Sequence, residues 1–212
     1  MSTALSQKTK NESPADDYKR RELFRNAEIP VRFKGKDFDS YLPTCEGGKK
    51  ALRISKSFAG SFSDRLACGD GLIFFGKTGT GKTHLSCAIA SYIIREFGYS
   101  VLFTEVLEMT RQIKETYRRD TAQTEREVMR KFCRPSLLIL DEVGMQFGSD
   151  AEKVIVSDII NIRYKRVKST ILVSNLTLSE LEACVGDRGV DRMYEGGGVI
   201  IPFDWGSYRR GS

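Results

Sequence analysis

Residues 76–83 read Gly76-Lys77-Thr78-Gly79-Thr80-Gly81-Lys82-Thr83 and satisfy every fixed position of the pattern G-x-x-x-x-G-K-[ST]. The pattern has physical meaning only where a strand ends in a glycine-rich turn and a helix begins at the lysine. Backbone N–H groups of the turn and the first helical residues then converge on one spot and favour an anion there. Both flanks fit. Gly71-Leu72-Ile73-Phe74-Phe75 is a short apolar run suited to a buried strand, and residues 82–96 set Leu85, Ala88, Ile89, Tyr92 and Ile93 on one helical face. The segment is read as a loop that holds the phosphates of a nucleoside triphosphate, bordered by His84. Lys82 would contact the β- and γ-phosphates and Thr83 would hold Mg²⁺.

Working outward, apolar runs alternate with helix-patterned segments. A helix over 49–66 leads to the loop strand. Then come a strand at 101–104, a charged helical stretch over 106–132, a strand at 137–140, a helix over 151–166, and strands at 170–174 and 199–203. Strands and helices in alternation describe an α/β fold, a parallel sheet covered on both faces. A length of 212 residues suits one such core with an arm. The mixed charges of residues 1–36 predict a flexible arm, with the core over 37–212.

Five cysteines, Cys45, Cys68, Cys87, Cys133 and Cys184, stand far apart, and His84 is the only histidine. A Cys/His zinc site and a histidine triad are therefore not expected, and the cysteines are read as reduced packing residues. The sequence has no apolar run long enough to span a membrane and begins with a polar stretch, so a cytoplasmic protein without membrane contact is expected. The net charge of +6 is compatible with a polyanionic partner. Positive charge gathers at Arg163, Lys165, Arg166 and Lys168, and again at Arg209 and Arg210. Each group is either a solvated face or a surface for such a partner.

Ser136-Leu137-Leu138-Ile139-Leu140-Asp141-Glu142 is an apolar strand ending in two carboxylates. Asp141 is read as the metal-side acid and Glu142 as the group that polarises an attacking water, although such a pair also serves as a helix N-cap. Ile171-Leu172-Val173-Ser174-Asn175 repeats the theme, with Asn175 either orienting the water or forming a turn before a helix. Arg188 and Arg192 lie four residues apart, on one face if the segment is helical. They can stabilise phosphate charge in their own or a neighbour's site, or pair locally with Asp187 and Asp191.

In this order the segments resemble the AAA+ ATPases, and within them the DnaC-type helicase loaders of bacteria and phages. The likeness runs from about residue 20 to 209, through Arg21-Glu22-Leu23-Phe24-Arg25-Asn26-Ala27-Glu28-Ile29-Pro30, Phe38-Asp39-Ser40-Tyr41, Gly186-Asp187-Arg188-Gly189-Val190-Asp191-Arg192-Met193 and Phe203-Asp204-Trp205-Gly206-Ser207-Tyr208-Arg209. The resemblance implies a three-layer sandwich with a five-stranded parallel sheet ordered 5-1-4-3-2, and ATP with Mg²⁺ as cofactors. It implies Asn175 as the sensor-1 residue, Arg192 with Arg188 as an arginine finger reaching a neighbouring subunit, and Arg209 as a sensor-2-like arginine. It also implies that the helical insertion after the second strand faces single-stranded DNA, through Arg111, Lys114, Tyr117, Arg118 and Arg119. The function implied is an ATPase that assembles with itself and loads or remodels the replicative helicase on single-stranded DNA. IstB-type transposition helpers, which act on duplex DNA, share this core and stand as the alternative. Loaders of this type carry an N-terminal helicase-binding domain ahead of the segment that residues 21–30 resemble; here the short charged arm occupies that place.

Overall fold

Five strands, β1 (Leu72–Gly76), β2 (Val101–Glu105), β3 (Leu137–Asp141), β4 (Ser169–Val173) and β5 (Val199–Phe203), form a single sheet in the order β2-β3-β4-β1-β5. Every pairing is parallel. Read from the other edge, this is the expected 5-1-4-3-2. The structure is a computed structural model and describes residues 13–118, 120–144, 150–195 and 197–208.

The strands are apolar on both faces, and successive residues serve different layers. Leu72 and Phe74, Leu137 and Ile139, and Ile171 and Val173 join one core with α1 (Pro14–Asn26), α2 (Glu46–Gly60), α3 (Phe62–Cys68) and α4 (Lys82–Phe97). Ile73, Leu138, Leu140 and Leu172 join a second core with α5 (Val106–Glu115), α6 (Glu125–Cys133), α7 (Asp150–Lys165), α8 (Leu178–Val185) and α9 (Asp187–Glu195). The result is a three-layer α/β sandwich. Because all strands run the same way, their carboxyl ends gather on one edge and their amino ends on the other. Among the described residues no helix is long and apolar enough to cross a membrane.

Some boundaries differ from those the sequence suggests. The helix expected over 49–66 is two helices, because Ser61 leaves helical geometry at ψ 24° and turns Phe62 into the core, fully buried. The stretch over 106–132 is also two helices. Residues 116–124 offer no large aliphatic side chain to bury, and Thr124 and Glu127 restart the helix with a reciprocal capping box. The sequence pattern does not delineate helices α8 and α9; a second capping box at Thr177 and Glu180 starts α8. The arm expected over 1–36 contains, in its described part, helix α1, and Ala27 and Ile29 are buried in the core. Apolar packing thus begins before residue 37. The cysteines are free, with Cys87 and Cys133 buried and Cys68 exposed.

The basic run at 163–168 is not one surface. Arg163 is 0% exposed. Its Nε donates to Thr170 Oγ1 at 3.0 Å, and its terminal nitrogens donate to the carbonyls of Phe132, Pro135, Ser136 and Ser169. One guanidinium thus satisfies backbone acceptors on the end of α6, the entry to β3 and the entry to β4. Burial pushes its pKa down, but the carbonyl ring and the high intrinsic basicity of the guanidinium keep it charged at neutral pH. Lys165 and Arg166 on the same run are exposed.

Candidate nucleotide site

The phosphate loop leaves β1 at Gly76 and enters α4 at Lys82. Gly81 caps α4 in the left-handed region, at φ 95°, and a Cβ there would come within 2.5 Å of the Tyr41 ring. Only glycine fits that backbone in that space. The first turn of α4 carries no acid, so its N–H groups and dipole favour an incoming anion.

The last strand and the segment after it fasten the loop from behind. Lys77 N donates to Phe203 O at 2.8 Å, Tyr208 N donates to Gly79 O at 2.9 Å, and Trp205 Nε1 donates to Thr80 O at 3.2 Å. Trp205 packs on Phe203 with ring centroids 4.7 Å apart. Replacing Trp205 by phenylalanine keeps a ring in this place and removes one hydrogen bond, which is worth about 1 kcal/mol. ATP affinity is expected to fall by roughly fivefold, as read by a fluorescent-nucleotide titration, while the melting temperature changes little. An affinity equal to that of the unmodified chain would show that the loop does not need this fastening.

Lys82 Nζ donates to Gly76 O and Lys77 O, both at 2.7 Å, and burial lowers its pKa to about 8. Thr83 Oγ1 donates to Asp141 Oδ2 at 2.9 Å. Asp141 ends β3 and is buried, and burial pushes its carboxyl up to about 6 against the opposing effect of hydrogen bonds from Glu142 N and Thr83. A buried carboxylate beside a hydroxyl, both oxygen donors, fits a hard cation. Among the described residues no cluster of three or more His, Cys, Asp or Glu side chains forms a cage.

Glu142 has φ 58°, a left-handed conformation costly for a residue with a Cβ. The turn frees its carboxylate from the strand, and it is exposed at the cleft. Asn175 follows Ser174, whose hydroxyl donates to Val143 O at 2.6 Å and whose N–H donates to Phe74 O at 2.8 Å. The ends of β1, β3 and β4 are thus tied together, and Asn175 reaches the same cleft.

That cleft has a volume of about 370 Å³, and Thr78, Gly79, Gly81, Lys82, Thr83 and His84 line it together with Asp141, Glu142 and Asn175. Gly76, Lys77 and Thr80 do not line it; they contribute carbonyls that Lys82, Tyr41 and Trp205 bind. His84 Nε2 lies 3.0 Å from Asp37 O and 3.2 Å from Ser40 Oγ, so it seats the preceding segment against α4. Phe33, Lys36, Tyr41, Leu42 and Tyr208 also line the cleft. Sequence reasoning misses them as site residues, although Tyr41 and Tyr208 stand in motifs singled out by resemblance. Leu42, 74% exposed, is a further signal, a large apolar side chain left at a pocket mouth.

Arg188 and Arg192 lie on α9 and do not line the cleft. Arg192 stacks on the Tyr164 ring, 5.6 Å from its centroid. Of the residues expected to face DNA, Arg111 and Arg118 are exposed, Lys114 pairs with Glu152 at 2.7 Å, and the exposed Tyr117 hydroxyl donates to Glu125 at 3.5 Å. Arg119 and Arg209 lie outside the described residues.

A parallel sheet in this order, with a phosphate loop after β1 and acids after β3, is the AAA+ form of the P-loop NTPase, an ATP-binding fold. The sequence model of the family described as IstB-like ATP binding protein matches residues 9–193, and the chain belongs to that family. It is 37% identical over 190 residues to the replicative helicase loader DnaC of Buchnera aphidicola subsp. Baizongia pistaciae, covering 90% of this chain and 72% of that protein. It is 31% identical over 191 residues to the replicative helicase loader DnaC of Escherichia coli K12, covering 90% and 76%. Among solved structures, that of a DnaC helicase loader superposes with TM-score 0.73 at 25% identity, over 82% of this chain and 99% of that one. The fold is also that of DnaI, with TM-score 0.69 at 22% identity over 82% and 94%.

Proposed function

We propose that this chain is an ATP-hydrolysing helicase loader, acting on the replicative helicase at single-stranded DNA and assembling with copies of itself through ATP. The observation that carries this reading is the identity of 31–37% to helicase loaders across 90% of the chain, supported by a cleft in which Lys82, Thr83, Asp141, Glu142 and Asn175 converge. In this reading the loop N–H groups and Lys82 hold the phosphates. Thr83 and Asp141 would hold Mg²⁺, which when bound neutralises phosphate charge. Glu142 takes the proton of the attacking water, and Asn175 orients that water. Phe33, Tyr41 and Leu42, which line the cleft, would hold the adenine. Arg192, with Arg188, completes a neighbour's site, and their place outside the cleft of their own chain supports action in trans. Arg209 is assigned the sensor-2-like role, and Arg111, Lys114, Tyr117, Arg118 and Arg119 are assigned to DNA.

The test is co-elution of the purified protein with its host's replicative helicase on a sizing column, in ATP and Mg²⁺, with Lys82→Ala as control. A complex that disappears with Lys82→Ala is expected. With no complex, and with ATP-dependent preference for duplex DNA, the transposition-helper reading takes its place. Arg192→Ala is expected to lower DNA-stimulated hydrolysis by at least tenfold, since a trans arginine contributes about 10³–10⁵ where it acts fully, while ATP affinity is retained. Unchanged stimulated turnover would rule out the finger.

A further inference from the structure

At the edge of the sheet opposite the cleft, where β3 and β4 begin, a concavity of about 400 Å³ is lined by Arg130, Cys133, Arg134, Arg166 and Lys168. Arg130 sits in the last turn of α6 and Arg134 is its C-cap, while Arg166 and Lys168 flank the turn from α7 into β4. We propose that this groove is a second nucleic-acid contact, one that grips the phosphodiester backbone without reading bases.

Three observations carry it. First, the lining holds four cationic side chains and no acid. Among the described residues none of the four is in a salt bridge. Glu127, three residues before Arg130 on α6, is held by hydrogen bonds with Thr124, which together with a weaker attraction from Arg130 lower its carboxyl pKa. Cations at a helix C-terminus are favourable on their own, which covers Arg130 and Arg134 on α6 and Arg166 at the end of α7, but it does not account for both helix ends converging with Lys168 on one groove. Second, the lining has no aromatic and no aliphatic side chain, only the buried Cys133. Protein interfaces centre on such anchors and base-stacking platforms need rings, so a phosphate backbone is the occupant that this chemistry fits.

Third, the groove is braced. Arg163 lies beneath it and bonds the carbonyls of Phe132, Pro135 and Ser169, the backbone on both sides. Between Arg166 and Lys168, Val167 sits at φ 51°, and Lys168 N donates to Arg163 O at 3.0 Å while Val167 N donates to Tyr164 O at 3.0 Å. This is a left-handed helix stop normally made by glycine, held here with a β-branched residue. The strained turn fixes where Arg166 and Lys168 leave the backbone.

The proposal rests on the reading of the chain as a DNA-acting protein, and adds a binding surface separate from α5. Its test is fluorescence anisotropy of a labelled 30-nucleotide single strand and a 30-base-pair duplex, between 50 and 200 mM salt. The chain is compared with the double variant Arg130→Gln/Arg166→Gln and with the charge-conserving Arg130→Lys/Arg166→Lys. The glutamine variant is expected to bind at least tenfold more weakly, with the log–log salt slope shallower by roughly 0.7–0.9 for each phosphate no longer neutralised. ATP affinity should be unchanged and the lysine variant should retain binding. If the unmodified chain binds neither DNA, the DNA reading itself fails. If it binds and the glutamine variant binds equally, the groove alone is refuted. Loss of helicase co-elution with DNA binding intact would make the groove a protein-binding surface, and loss with the lysine variant too would remove the electrostatic account.

Discussion

Glu142→Gln is expected to bind ATP within about threefold of the unmodified affinity and to release phosphate at least 100-fold more slowly. The substitution keeps size and shape and leaves the Glu142 N–H donating to Asp141 Oδ1 at 2.9 Å, so the metal-side acid keeps its support. It removes only the carboxylate's ability to accept a proton, a contribution of roughly 10²–10⁴ where a side chain acts as general base. The exposed position at the cleft and the left-handed backbone that presents it are the reasons for choosing this residue over Asp141. Equilibrium nucleotide binding and steady-state phosphate release on the same preparation decide the matter. Turnover within tenfold of the unmodified chain would assign the proton to another group.

Arg163→Leu is expected to cost about 3–5 kcal/mol of folding stability, because it abandons several buried carbonyl oxygens at once and each unsatisfied acceptor costs about 1–3 kcal/mol. For a chain of this size that is a fall of roughly 10 °C in melting temperature, measured by circular dichroism. Arg163→Lys should recover little, since an ammonium cannot span acceptors on three segments. The residue lies far from the nucleotide, so ATP affinity at low temperature should survive in whatever fraction folds. A melting temperature within about 2 °C of the unmodified chain would mean that the carbonyls find other donors.

Arg163 also marks a limit of sequence reading. In the run Arg163-Tyr164-Lys165-Arg166-Val167-Lys168 nothing distinguishes a buried cation from its solvated neighbours; what buries it is the arrival of Pro135 and Ser136 from another element. The sheet was legible because its strands carry apolar residues for both faces, as in Leu137–Leu140, and its order followed from family likeness. The phosphate loop, Asp141, Glu142 and Asn175 were legible because each stands where an apolar run ends, and parallel strands bring such ends to one edge. The wall formed by Phe33, Lys36, Tyr41 and Leu42 was not, since those residues follow no period and are carried to the cleft by contacts from distant elements, His84 on Asp37 and Ser40 and the Tyr41 hydroxyl on Thr80 O. The breaks at Ser61 and at 116–124 were not legible either, because a helical pattern in polar sequence tells little about where burial ceases.

The central place of β1 has a bearing on the order of assembly. Leu72 pairs with Ile171 on one side and with Val199 on the other, so the strand that launches the phosphate loop finds both its neighbours only in segments synthesised long after it. Such distant pairings form slowly, because the intervening loop must close before any contact rewards it. While the chain is emerging, β2 and β3 can pair first, and β1 waits. ATP binding is therefore expected to come late in maturation, and nucleotide protection during refolding would report the last strands to dock.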